Sequence, residues 1–81
     1  MKIVIRKSAQ KALARMNSKM RTQFFKSFDR IVAGDASKLD IKKLTGREGY
    51  RLRIGQYRAI FTKDYELLDV LDVGPRGDIY S

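Results

Sequence analysis

Residues 50–63, YRLRIGQYRAIFTK, predict two β-strands joined by a tight turn. Apolar and basic side chains alternate in residues 50–54, and the alternation resumes at residue 57, which is typical of strands with one covered face. Gly55 and Gln56 separate the two segments, and glycine in the first position of a two-residue turn favours a type II′ hairpin. The segment therefore predicts an antiparallel hairpin.

Two further strands are expected, one on each side of this hairpin along the chain. Residues 67–73, LLDVLDV, follow a turn at residues 64–66 and extend the hairpin into a three-stranded meander. Residues 2–5, KIVI, are short and rich in β-branched side chains, which favour a strand. This first strand must pair with the meander, because an isolated strand cannot satisfy its backbone groups.

Two consecutive helices are predicted between the first strand and the meander. Ser8 is a candidate N-cap for a helix that ends near Met16, and Asn17 and Ser18 offer caps for the next helix. In the second helix, apolar side chains recur every three or four positions until Gly34, which is a favourable stop. Because almost no linker separates the two helices, they should form a helical hairpin.

The predicted fold class is α+β, in one domain of residues 1–81 with the order β-α-α-β-β-β. A sheet needs one covered face, so the helical hairpin is expected to pack on one face of a small antiparallel sheet. Residues 35–49 mix turn formers with a few apolar side chains and are interpreted as an anchored loop. The other face of the sheet is left partly open, which makes it a candidate binding surface.

The composition narrows the chemistry. The chain has 18 Lys and Arg against 9 Asp and Glu, a net charge of +9, and neither His nor Cys. This charge favours nucleic acid as the partner, with an anionic membrane or an acidic protein as alternatives. The missing residue types exclude disulfides, the usual zinc ligands and a Ser/His or Cys/His pair, so we expect no metal and no cofactor.

The sequence has no run of the roughly 20 apolar residues that a membrane-spanning helix needs. Its start, MKIVIRKS, has too short an apolar run for a signal peptide. We therefore expect a soluble cytoplasmic protein without a membrane partner.

Three arginines lie close together on the predicted hairpin. The apolar residues of the first strand should face the helices, which leaves Arg51 and Arg53 on the open face, about 6.6 Å apart. That distance is close to the spacing of phosphates along single-stranded nucleic acid. Arg58 flanks the same turn, so we expect it to be a cross-strand neighbour of Arg53.

Two residues after the last strand can fold back toward these arginines. Arg76 offers a planar fork to a phosphate, and Tyr80 can stack on an unpaired base. The alternative interpretation is a solvated strand face, whose arginines pair with the chain's own carboxylates Glu66, Asp69 or Asp72.

The motifs of this chain resemble those of the RelE/ParE superfamily of toxins from type II toxin–antitoxin systems, and the likeness covers essentially the whole chain. The matching segments are Leu44-Thr45-Gly46, residues 50–58, Val73-Gly74-Pro75-Arg76 and Tyr80. The resemblance implies the RelE-like fold. The presence of both Arg76 and Tyr80 favours the RelE type over the ParE type.

The RelE type implies a ribosome-dependent endoribonuclease that cuts mRNA in the ribosomal A site. In such toxins the 2′-hydroxyl attacks the adjacent phosphate and leaves a 2′,3′-cyclic phosphate and a 5′-hydroxyl. The implied partners are the ribosome, mRNA and a cognate antitoxin with an acidic helical segment, while operator DNA would be bound only through the antitoxin complex. A ParE-like DNA gyrase poison and a degenerate, non-catalytic homologue that binds only antitoxin or RNA remain as alternatives.

The resemblance also implies the site residues. Arg58 matches an arginine that holds the phosphate, Arg76 one that stabilises charge or protonates the leaving oxygen, and Tyr80 a tyrosine that orients the nucleotide. The implied catalytic residues are Arg53, Arg58, Arg76 and Tyr80. The implied RNA-binding residues are Arg51, Arg53, Lys43 and Arg47.

The general base remains open at this point. Nuclease members often have lysine at the positions of Arg51 and Arg53, and arginine effectively cannot give up its proton. Several also have histidine where this chain has Pro75. The base would then be Tyr80, a carboxylate such as Glu48 or Asp78, or a ribosomal group.

Overall fold

Five strands and two helices follow one another in the computed structural model, which describes residues 2–75. Their bounds are β1 Lys2–Ile5, α1 Lys7–Arg15, α2 Ser18–Ala33, β2 Asp40–Lys43, β3 Tyr50–Ile54, β4 Tyr57–Lys63 and β5 Leu67–Pro75. The α+β class, the two consecutive helices and the β3–β4–β5 meander confirm the predicted fold.

The strands form one sheet with the spatial order β1-β5-β4-β3-β2. The first strand joins the meander as predicted, but it runs parallel to β5, so the prediction of an antiparallel sheet was wrong for this pair. The other three pairs are antiparallel. A parallel pair requires a long crossover connection, and the 61 residues between Ile5 and Leu67 provide one.

The interpretation of residues 35–49 as a loop was wrong at β2, which pairs with β3 from Asp40 opposite Arg53 to Lys43 opposite Tyr50. The strand has only one apolar residue, Ile41, so its sequence lacks the alternation that identifies a half-buried strand. β2 lies at the edge of the sheet, where charged side chains discourage pairing with other chains.

The β3–β4 hairpin forms as the sequence predicts. Ile54 lies opposite Tyr57, which leaves Gly55 and Gln56 as the turn. Gly55 has φ 57°, the positive value that the first position of a type II′ turn requires. The turn before β5 is closed by Asp64, whose Oδ1 accepts hydrogen bonds from the backbone N–H groups of the first residue of that strand and of the residue before it.

The caps of α2 agree with the sequence, whereas the predicted cap of α1 does not. The side chain of Asn17 accepts a hydrogen bond from the Met20 N–H, and Gly34 ends α2 in the left-handed conformation with φ 78°. α1 begins at Lys7, one residue before the predicted cap. The Ser8 hydroxyl instead donates to the Leu71 carbonyl, 3.2 Å away, because the start of α1 lies against β5.

Arg21 fixes the short connection between the helices. Its guanidinium donates to the carbonyls of Leu13 at 2.9 Å and Met16 at 2.7 Å, at the end of α1. The Leu13 carbonyl also accepts from the Met16 N–H at 3.2 Å, and a cation is favourable at a helix C-terminus. Neither α1 nor α2 combines the length and apolar character that crossing a bilayer would require.

The core lies between the helices and one face of the sheet, as predicted. Tyr50 of β3 stacks on Phe61 of β4 with ring centroids 5.4 Å apart, and two phenylalanines of α2 cover the sheet from above. Each fully buried large apolar side chain contributes about 1.5–3 kcal/mol to folding. The largest fully buried side chains of this core are Phe24, Phe28, Phe61, Leu52, Leu68 and Val70.

Candidate nucleic-acid interface

The strand register brings the three hairpin arginines onto one face of the sheet. Arg53 lies directly opposite Arg58, and Arg51 lies opposite Ile60. Leu52, between the two β3 arginines, points into the core on the other side. Arg51, Arg53 and Arg58 therefore form one cluster on the face away from the helices, which we call the arginine face.

This face is less open than the sequence predicts. Ile60 lies on it and is only 2% exposed, and all three arginines are half-buried. The Nε atoms of Arg51 and Arg58 are buried without a hydrogen-bond partner in the described part of the chain. An unsatisfied buried donor is costly, more so on a charged group.

Like charges also meet on the arginine face. Directly opposite residues of neighbouring strands have Cβ atoms about 4.5–5.5 Å apart, and like charges in such positions destabilise a sheet. Arg53 and Arg58 stand in this relation. Between residues 2 and 75 neither of them forms an ion pair, and the nearest strand neighbour of opposite charge is Asp40, which lies opposite Arg53 on β2.

One carboxylate does reach the cluster. Asp40 of β2 accepts a hydrogen bond from Arg51 Nη2 at 3.3 Å, and its side chain remains 53% exposed while that of Arg51 is 15% exposed. Within residues 2–75 none of the three hairpin arginines forms an ion pair with Glu66, Asp69 or Asp72, the partners that the alternative interpretation predicts. Asp40 was missed because its strand has no clear sequence pattern.

Asp69 has a different partner, Arg6, at the end of β1. The Arg6 guanidinium forms a fork on the carboxylate, with Nε donating to Oδ1 at 2.9 Å and Nη2 to Oδ2 at 2.8 Å. These hydrogen bonds hold the pKa of Asp69 below its ordinary value, against the opposing effect of burial, and raise the pKa of Arg6. The pair joins β1 to β5 and leaves the arginine face without this negative charge.

The two expected RNA-binding residues before the hairpin do not both join the arginine face. Lys43 lies opposite Tyr50, so it belongs to the helix side of the sheet. Lys42 lies opposite Arg51 and is on the arginine face, although the sequence analysis did not select it. Arg47 is exposed in the loop between β2 and β3. The alternation of side chains would have selected Lys42 had β2 been recognised.

The remaining expected site residues lie mainly after the last described residue. Arg76, Tyr80 and the candidate base Asp78 are outside residues 2–75, so their contribution stays a prediction. Glu48, the other candidate base, is exposed in the loop that also holds Arg47. The described part of the site is thus a cluster of three guanidinium groups, a chemistry suited to an anionic ligand.

Comparison with protein families gives the class of the molecule. The model of the ParE toxin family, described as the ParE toxin of the type II toxin–antitoxin system parDE, matches residues 3–80. Because this match spans nearly the whole chain, the protein belongs to that family of toxins. The predicted membership of the RelE/ParE superfamily is confirmed. A search of curated proteins gave no match.

Solved structures with the same fold support this assignment. The structure of the RelB-RelE antitoxin-toxin complex from Methanococcus jannaschii matches with a TM-score of 0.80 and 25% identity, over 95% of this chain and 94% of that one. The archaeal RelE-RelB complex from Pyrococcus horikoshii OT3 matches with a TM-score of 0.76 and 28% identity, over 95% of this chain and 96% of that one. The YoeB dimer from Staphylococcus aureus, at 19% identity, matches with a TM-score of 0.76 over 89% of this chain and 92% of that one, which shows a shared fold.

Proposed function

We propose that this toxin is a ribosome-dependent endoribonuclease that binds the mRNA backbone on its arginine face and cuts it in the A site. The observation that carries the proposal is the cluster of Arg51, Arg53 and Arg58, in which two buried guanidinium nitrogens lack partners within residues 2–75. Arginine forks match phosphate oxygens, so an RNA phosphate on this face would offset the repulsion between the cations.

The chemistry needs little more than positioning and charge. The 2′-oxygen of one nucleotide attacks the neighbouring phosphorus, the bond from phosphorus to the 5′-oxygen breaks, and a 2′,3′-cyclic phosphate and a 5′-hydroxyl result. One proton leaves the attacking hydroxyl and another is taken up by the 5′-oxygen. Fixed guanidinium groups stabilise the negative charge that builds on phosphorus, and the ribosome would hold the messenger in the reactive geometry.

The residues divide by position. Arg53 and Arg58 face each other and would grip the scissile phosphate, while Arg51 and Lys42 lie one step further from the turn and would bind the neighbouring phosphate. We assign charge stabilisation at the leaving oxygen to Arg76 and orientation of the nucleotide to Tyr80, as the family resemblance implies. Lys43 and Arg47 would contact RNA outside the cleaved linkage.

A ParE-like DNA gyrase poison is the second candidate. The matching family model is that of ParE toxins, and the fold is common to both kinds of toxin. The arginine face favours RNA, because it brings three guanidinium groups together on one side of the sheet, where an RNA backbone can be gripped. A degenerate member that binds only antitoxin or RNA is the third outcome that an experiment must separate.

We also propose a cognate antitoxin with an acidic helical segment as partner. The Methanococcus and Pyrococcus structures are complexes of RelE with RelB. The charge of +9 favours an acidic partner, and Ile3, Val4 and Phe25 leave apolar surface exposed that a partner would cover. Binding would stabilise the small toxin by mass action. Any contact with operator DNA would be made through the antitoxin.

Induced expression followed by mapping of messenger 5′ ends tests the nuclease. The wild-type toxin should produce cuts inside codons, and Arg58→Ala should reduce their frequency about 100-fold, in line with the loss of one preorganised charge stabiliser. Arg76→Ala should have a similar effect. Lys63→Ala, at the exposed far end of β4, serves as the control and should leave cutting unchanged.

Three other outcomes would contradict the proposal. Breaks in DNA with intact messengers would identify a gyrase poison. Intact messengers and intact DNA, in cells that accumulate the folded protein, would indicate the non-catalytic homologue. Unchanged cutting by Arg58→Ala would separate the activity from the arginine face.

A further inference from the structure

A second basic surface lies beside α2, where β2 begins and β3 ends at the edge of the sheet. β2 begins at Asp40 opposite Arg53, so the last residue of β3, Ile54, has no partner on that side. A cleft of about 440 Å³ opens between this end of β3, the loop before β2, and α2. Its lining includes Lys26 and Arg30 of α2 and Lys38 of the loop, together with Arg53.

The α2 residues of the cleft share one helical face. Gln23 and Ser27 are four residues apart, and so are Lys26 and Arg30, so each pair lies one above the other on neighbouring rows of this face. Ser27 is buried and its hydroxyl donates to the Gln23 carbonyl, while Lys26 and Arg30 remain exposed. The two cations therefore form the outer wall of the cleft.

The cations of the cleft are not neutralised by the described part of the chain. Within residues 2–75 none of Lys26, Arg30 and Lys38 has an ion pair, and the carboxylate in the lining, Asp40, is engaged by Arg51. Like charges four residues apart on a helix destabilise it by about 0.2–0.5 kcal/mol, as Lys26 and Arg30 do here. This arrangement is unfavourable for folding alone and favourable for binding a polyanion.

Arg53 connects the cleft with the arginine face. It lies opposite Arg58 on the sheet and also borders the cleft. We propose that the cleft of Lys26, Arg30 and Lys38 is a second RNA-backbone site, which binds phosphates outside the cleaved linkage and extends the path of the RNA around the β2–β3 edge. This inference deepens the proposed function, because it rests on RNA as the ligand of the arginine face.

The test measures binding of a 2′-O-methyl RNA of about twenty nucleotides, which cannot be cleaved because it lacks the attacking hydroxyl. The cleft variant is Lys26→Gln/Arg30→Gln/Lys38→Gln. The matched control is Lys7→Gln/Lys11→Gln/Lys19→Gln, which removes the same charge from exposed helix positions outside the cleft. Circular dichroism melts verify that both variants fold.

Phosphate contacts are counted by the salt dependence of binding. Each lost contact with single-stranded RNA lowers the slope of log Kd against log salt by about 0.7. The cleft variant should lose about 1.4–2.1 from this slope and bind roughly tenfold or more weakly near 0.1 M salt. The control should bind less than about threefold more weakly and keep the wild-type slope.

Equal losses in the two triple variants would overturn the second site, and so would a wild-type chain that does not bind the RNA. The messenger-mapping experiment is independent of this result. Codon-internal cutting together with equal losses would leave the nuclease standing and remove the cleft. A selective loss of binding in the cleft variant, without messenger cutting by the wild type, would support the RNA site and reject the nuclease.

Discussion

At the scale of single residues, the arginine face is built from side chains whose like charges repel one another. Arg53 and Arg58 lie directly opposite on neighbouring strands, and the Nε atoms of Arg51 and Arg58 lack partners within residues 2–75. Such an arrangement lowers stability in the free protein. Bound phosphate would offset the repulsion, which is the physical basis for expecting an anion there.

Asp40 would limit the proposed binding, because its carboxylate already accepts a hydrogen bond from Arg51 Nη2. The variant Asp40→Asn should free the guanidinium and strengthen binding of uncleavable RNA about two- to fivefold, the range expected for one exposed ion pair. The gain should shrink as salt rises, since screening weakens the pair. Fluorescence anisotropy titrations at two salt concentrations measure both effects.

Glu66→Gln is the control for this change, because it removes the same charge from the exposed turn at the far end of β4. An equal gain in both variants would mean that only net charge matters. Weaker binding by Asp40→Asn would mean that the carboxylate orients Arg51 and does not compete with RNA.

At the scale of elements, the loop between β2 and β3 depends on two glycines in different ways. Gly46 has φ 79° and open space around its Cα, whereas Gly49 has φ 122°, and a Cβ there would lie 3.0 Å from the Phe61 carbonyl oxygen. The carbonyl of Gly49 also accepts a hydrogen bond from the Leu44 N–H. The close approach to β4 therefore permits only glycine at position 49.

Gly49→Ala should lower the free energy of unfolding by about 2–4 kcal/mol, since it adds steric overlap to a backbone conformation that non-glycine residues avoid. Gly46→Ala should cost only about 1–2 kcal/mol, the penalty of the left-handed conformation. Urea denaturation of both variants measures the difference. Equal losses would show that the contact with Phe61 relaxes without cost.

At the scale of the whole molecule, the Arg6–Asp69 pair links the first strand to the last. The two residues are 63 positions apart in sequence, and the fork between them joins the end of β1 to β5. The β1–β5 pairing is the parallel one in the sheet, and parallel pairs are slightly less stable per residue than antiparallel pairs. The ion pair thus reinforces the weaker strand pairing.

The linkage between Asp69 and folding predicts a pH dependence. Because the pKa of Asp69 is lower in the folded protein than in the unfolded chain, its contribution to stability is complete above the unfolded value of about 3.9 and is lost as pH falls through the folded value. Asp69→Asn should be less stable at pH 7 and should lack this part of the acid-induced loss. Thermal melts between about pH 7 and pH 2 measure it.

Asp29→Asn, a change at an exposed aspartate of α2, provides the control and should keep the wild-type pH dependence. A pH profile of Asp69→Asn that is parallel to the wild type would show that the fork with Arg6 does not persist in solution.

The sequence by itself determined the helices, the meander and the presence of three arginines on its first hairpin. These features follow from local rules: the period of the apolar residues, the cap at Asn17, the stop at Gly34 and the turn at Gly55. Alternation along β3 places Arg51 and Arg53 on the same side whatever the rest of the chain does.

Tertiary structure alone decided the contacts between distant segments. β2 carries no sequence pattern and exists because the exposed edge of β3 offers unpaired backbone groups; its formation brings Asp40 to Arg51 and Lys42 to the arginine face. The parallel docking of β1 and the cleft beneath α2 likewise depend on how the elements pack. Local propensity cannot specify such contacts, because their energy arises only when segments far apart in the chain meet.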